Sequence, residues 1–151
     1  MSFISTLYDY IYSSITTAFP TKTELKNPQD ITDNTEPSLS NGFGVHVESL
    51  ISTNEVEQRL KMFERSFVIT FTRKATKSEL NLTARKDAEK LLLEDQNTFI
   101  QNILSNTNII SRVMDYQIVD DNGVEFIYKD QKNFLMIKTK LVVKYYLNTN
   151  F

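Results

Sequence analysis

Phe134-Leu135-Met136-Ile137-Lys138-Thr139-Lys140-Leu141-Val142-Val143-Lys144-Tyr145-Tyr146-Leu147 is the stretch on which the fold turns. Leu135, Ile137, Leu141, Val143, Tyr145 and Leu147 form one apolar row, interrupted only by Thr139. Phe134, Met136, Lys138, Lys140, Val142, Lys144 and Tyr146 form the other. Successive strand residues point to opposite faces, so a period of two predicts a strand with one buried side. A second segment repeats the pattern: Phe63, Arg65, Phe67, Ile69, Phe71 and Arg73 alternate with Glu64, Ser66, Val68, Thr70 and Thr72. An aromatic-apolar face set against a mostly polar one is the mark of a half-buried antiparallel strand.

Outward from these strands the period changes. Residues 2–18 read as an amphipathic helix, with Ser2 as N-cap and Ile4, Leu7, Tyr8, Ile11 and Ile15 at helical spacing. Phe19-Pro20 ends it, because a residue before proline is pushed out of the α region. Tyr10 and Tyr12 fall outside the stripe, as plain surface or as a partner contact. Residues 82–106 form the second predicted helix, on Ala84, Ala88, Leu91, Leu92, Phe99, Ile103 and Leu104. A strand over 43–51 has Phe43, Val45 and Val47 on one face, launched by a turn at Asn41-Gly42 and Gly44. A further strand over 109–119 is broken by the turn signal Asp121-Asn122-Gly123, with 124–128 a short extended piece before the turn Lys129-Asp130-Gln131-Lys132. The segment 52–61 reads as a long hairpin loop.

The expected order is helix, two strands, helix, two strands. The economical solution is a single α+β domain over 1–151: a mainly antiparallel four-stranded sheet with two helices packed on one face. Residues 21–41 carry no period and form a long loop. Two readings stand open for it, a plain connector or a segment that becomes ordered against a neighbouring subunit.

A chain of 151 residues fits one domain. Its apolar content of 40% and charged content of 24% argue against wholesale disorder. A net charge of −2 supplies no global positive field to attract nucleic acid. The absence of cysteine excludes disulfides, zinc-thiolate sites and thiol nucleophiles. No stretch approaches the roughly 20 apolar residues that span a bilayer.

No constellation of acid, base and nucleophile emerges, and no cofactor is expected. His46 has no partners at ligand spacing and reads as a surface or inter-subunit polar group. Asp120-Asp121-Asn122-Gly123 with Glu125 fails the spacing of a calcium loop and reads as a solvated turn. Glu94 and Asp95 are adjacent on a helix and do not face each other. One feature rises above background. Lys138, Lys140 and Lys144 share a face of the last strand, and Arg73, Lys74 and Lys77 end the earlier one. Neighbouring strands would combine them into a basic stripe. That stripe either guards a strand face against wrong pairing or contacts DNA phosphate or an acidic partner.

The order of elements, taken with four pieces of sequence, resembles the tail-terminator and head–tail joining proteins of tailed bacteriophages. The pieces are a first helix running into Thr16-Thr17-Ala18-Phe19-Pro20, then Asn41-Gly42-Phe43-Gly44-Val45-His46-Val47, then Arg65-Ser66-Phe67-Val68-Ile69-Thr70-Phe71-Thr72-Arg73 followed by the helix with Leu92-Leu93-Glu94-Asp95, and last Gly123-Val124-Glu125 before Leu141-Val142-Val143-Lys144-Tyr145. That family has no catalytic signature, so no residue is carried over as an active site. The resemblance implies a non-enzymatic structural protein of the virion, assembled in the host cytoplasm. It would form a homo-oligomeric ring, commonly a hexamer, in the neck, contact other neck and tail proteins but no membrane, and let DNA pass through its lumen. Lys22, Glu24, Lys26, Asp30, Asp33 and Glu36 of the first loop, and Glu55, Glu57 and Arg59 of the second, are the expected subunit or ring contacts. The alternatives are a small DNA-binding module and a regulatory domain that binds a host protein.

Overall fold

The computed structural model describes residues 3–48, 50–55, 60–75, 82–105, 115–130 and 132–148. Helix α1 (Phe3–Ala18) buries Leu7, Ile11 and Ile15, one residue per turn. It closes with the Phe19 amide on the Ile15 carbonyl at 2.8 Å, just before Pro20. Helix α3 (Leu82–Ser105) buries Ala88, Leu92, Asp95, Phe99 and Ile103 along one stripe. The two helices are tied where the Tyr10 hydroxyl donates to the Asn102 carbonyl at 2.7 Å. Tyr10 and Tyr12, outside the sequence stripe, are both packed against the core.

Among the described residues the sheet has six strands, not four. They are β1 (Thr23–Glu24), β2 (Asn41–Val47), β3 (Ile51–Glu55), β4 (Leu60–Lys74), β5 (Asp115–Lys129) and β6 (Lys132–Asn148). The spatial order is β1-β2-β4-β6-β5, with β3 also pairing β4. β1 runs parallel to β2 and every other pair is antiparallel, so the sheet is mixed. The register explains its faces. Phe43, Phe71, Ile137 and Val124 form one cross-strand row, and Val47, Phe67, Leu141 and Ile118 another. Both rows face the helices, and all but the exposed Val47 pack with Leu7, Ile11, Leu92 and Phe99 in the main core. Each large apolar side chain buried there contributes about 1.5–3 kcal/mol relative to exposure.

The expected four-stranded sheet with two helices on one face is therefore corrected at three places. The first is the long loop at 21–41. It contains β1, a 3-10 helix (Ile31–Asp33) and a third α-helix, α2 (Glu36–Ser40). It forms a strap that passes round the β2 edge and lies across the second face of the sheet. Leu25, Ile31 and Leu39 of the strap pack on Phe134, Met136 and Ile127, a second core on the side expected to be bare. Gly42 and Gly44 are required by this close approach. A Cβ on Gly42 would stand 2.3 Å from the Ser38 carbonyl oxygen, and one on Gly44 2.8 Å from the Pro28 Cβ. The buried Asn34 side chain organises the turn, its amide donating to the carbonyls of Asn27, Asp30 and Ile31.

The second correction concerns Asp121-Asn122-Gly123. The sequence is not a break between strands but a bulge within β5: between the pairs Asp120↔Thr139 and Val124↔Ile137, β5 advances four residues while β6 advances two. Gly123 sits at φ 71, a left-handed conformation that serves a bulge as readily as a turn. The hairpin turn comes later, with Lys129 paired to Lys132 and Asp130 at φ 52. The third correction is at 52–61, where Ile51–Glu55 forms β3 and β4 already begins at Leu60. The expected start of a strand at 109–114 lies outside the described residues.

Candidate functional site

Among the described residues one cluster of charge centres on a buried carboxylate. Asp95 occupies a core position of α3 between Leu92 and Phe99 and is only 5% exposed. The Arg73 guanidinium of β4 meets it side-on, Nε to Oδ2 and Nη2 to Oδ1, both at 3.0 Å. The Lys22 ammonium at the head of the strap donates to Oδ2 at 2.9 Å and to Asn41 Oδ1 at 2.8 Å. It also lies 5.4 Å from the centre of the Phe19 ring and 5.3 Å from that of Phe71. Burial pulls the Lys22 pKa below its ordinary 10.5, with Asp95 pulling the other way. Both oxygens of the carboxylate are thus engaged by cations, and a bidentate fork fixes the plane of the carboxylate. The arrangement locks three elements in register: α3 by Asp95, β4 by Arg73 and the strap by Lys22.

Two residues expected at the surface turn inward, Lys22 buried and Arg73 half-buried. Lys22, read as a subunit contact, and Arg73, read as part of the basic stripe, both serve this cluster. The legible signals were Asp95 within an apolar helical stripe and Arg73 within the apolar row of its strand. Three of the other loop residues, Asp30, Asp33 and Glu36, hold the strap. Glu36 accepts from Lys74 at 2.8 Å and from Lys132 at 2.7 Å, which holds its carboxyl below the usual carboxylate range. Lys129 reaches the carbonyls of Thr32 and Asn34. Asp30 accepts from the Thr32 hydroxyl, and Asp33 from the Asn27 amide. Lys26 is exposed. Glu24, in β1, is exposed beside Tyr12, whose pKa is raised first by burial, then by its hydrogen bond with Tyr8 and the charge of Glu24. Glu55 ends β3, while Glu57, Arg59 and Lys77 lie outside the described residues.

What remains of the basic stripe is the lysine row of β6. Val68 of β4 is flanked by His46 on one side and Lys140 on the other, and Thr70 stands opposite Lys138. Lys140 pairs with Glu48 at 3.3 Å, and Lys144 lies opposite Glu64 across the strands. With the Pro28-Gln29 corner of the strap, His46, Glu48 and Lys138 border a pocket of about 330 Å3, where His46 Nε2 stands 3.2 Å from the Gln29 amide nitrogen. Lys74, on the same sheet face, is occupied by Glu36.

A larger groove of about 460 Å3 opens on the helix face between the start of α1 and the far end of β2. Ile4, Tyr8, Asp9, Val47, Arg65 and Phe67 line it. Arg65 is anchored there by donating to the Glu48 carbonyl at 2.8 Å. At the opposite edge of the sheet, Phe126 and Tyr128 of β5 stand 53% and 68% exposed.

No family model matches this chain, and no curated protein matches it either. Among the described residues no three His, Cys, Asp or Glu side chains converge as metal ligands. No described helix is long and apolar enough to cross a membrane.

Proposed function

We propose that the chain is a structural subunit that joins copies of itself into a ring, in the manner of the phage tail terminators and head–tail connectors that its sequence resembles. In that role it is a non-enzymatic virion component of the neck, in contact with other neck and tail proteins, with DNA passing through the lumen. The observation that carries the reading is a sheet open on two different edges. Among the described residues no strand pairs the outer side of β5, and β1 covers only Gly42 and Phe43 of β2. Unpaired edges recruit further strands. Two unlike edges on one subunit suit a head-to-tail contact, which closes into a ring when the rotation per copy permits. The buried charges are consistent with a structural role, because Asp95 spends both oxygens on Arg73 and Lys22.

Light scattering on the full chain across a concentration series tests the proposal. A discrete closed oligomer, six copies above all, is the expected result, and a strict monomer at every concentration counts against it. The Lys138, Lys140 and Lys144 row keeps a second reading in play, direct binding of DNA by the isolated chain. Strong binding that weakens steeply with salt would favour it. Glu48 and Glu64, set against two of the three lysines, argue for weak binding instead.

A further inference from the structure

We infer that the partner of the groove at α1 is the β5 edge of a second copy, with Phe126 and Tyr128 as the inserted side chains. The inference rests on the assembly proposed above and names its contact. Phe126 pairs with Leu135, and Tyr128 with Asn133, so the two aromatics lie on the helix face of the sheet. The groove opens on that same face, beside the part of β2 that β1 leaves uncovered. If β5 of one copy continues the sheet of the next along β2, its alternate side chains enter the layer where Ile4, Tyr8, Val47 and Phe67 wait. Strand addition gains affinity from the main chain and specificity from pockets for every second side chain.

Polar groups match as well. Asp9 lines the groove, and its carboxylate takes part in no ion pair among the described residues. Tyr128 brings an exposed phenol that can donate to it. The contact is heterologous, groove to edge, and leaves the pair with one groove and one edge unused. This is the condition for adding further copies until the ring closes.

The cysteine-free chain makes the test clean. Ser5→Cys places a thiol at the groove and Tyr128→Cys places one on the edge. Under oxidation, a mixture of the two full-length variants should give a mixed disulfide dimer, and neither variant alone should cross-link. Phe126→Asp should shift the native mass to monomer without moving the thermal midpoint, since that ring is half exposed in the subunit. If wild type is oligomeric but the mixture yields no mixed disulfide and Phe126→Asp still assembles, this contact is wrong and the ring reading stands. Cross-linking of a single variant with itself would mean an isologous contact and overturn the inference. A wild type that is monomeric throughout, together with no mixed disulfide from the two variants, removes both.

Discussion

Asp95 neutralises two cations in the core, so what happens when it is removed depends on what it leaves behind. Asp95→Ala strands the buried Lys22 ammonium beside Arg73, and the loss of stability should be about 3–5 kcal/mol, read by urea unfolding. Lys22→Met should cost far less, within about 1.5 kcal/mol, because the Arg73–Asp95 pair survives and methionine still packs on Phe19 and Phe71. The same lysine sets an alkaline pH dependence. Its folded pKa lies below the unfolded 10.5, so between the two values the unfolded chain binds more protons and stability rises with pH. Tyr12 acts in the opposite direction, since its raised pKa withdraws stability once the pH exceeds the unfolded 10.0. Thermal midpoints measured below pH 10 should therefore climb with pH in wild type and lose that slope in Lys22→Met. A wild-type midpoint that falls over the same interval would contradict the assignment.

The strap is the element that the sequence concealed. The helices and long strands were legible because their apolar residues recur at fixed steps, as in Leu7, Ile11 and Ile15 or Ile137, Leu141 and Val143. Leu25, Ile31 and Leu39 recur at no such step, since an irregular segment laid across a sheet meets it wherever the chain happens to descend. One hint was present: Phe134 and Met136 stand on the lysine-bearing side of their strand and needed a cover. The candidate site was legible only in part, because its charged residues were sought on the outside while Asp95 and Arg73 find each other across the core. Two substitutions probe the strap. Gly42→Ala drives a methyl into the Ser38 carbonyl and Thr72, and should cost about 1–3 kcal/mol by chemical denaturation. Glu36→Gln releases Lys74 and Lys132, and should speed amide exchange in the strap while leaving that of β4 and β6 unchanged. Its effect belongs to the acid side: Glu36 is held below 4.5, so the wild-type advantage persists above that pH and fades as the pH falls through the folded value.

For the whole molecule the decisive feature is the pairing of β4 with β6 at the centre of the sheet. Phe67 lies opposite Leu141, 74 positions later, and Lys74 opposite Phe134. Contacts this distant in sequence make folding slow, because the loop must close before any pairing is gained. Any chain cut at Asp130 should therefore be unfolded by circular dichroism rather than a smaller stable domain, and a cooperative melt from such a fragment would refute this. The same wiring bears on biosynthesis. As the chain leaves the ribosome, β4 emerges with its Phe67-Val68-Ile69-Thr70-Phe71 segment long before the strand that will shield one of its flanks. Throughout that interval an apolar strand is exposed to other nascent chains on the same message. High-level expression should therefore be limited less by the stability of the finished protein than by synthesis rate and access to chaperones, and slower translation should raise the soluble yield.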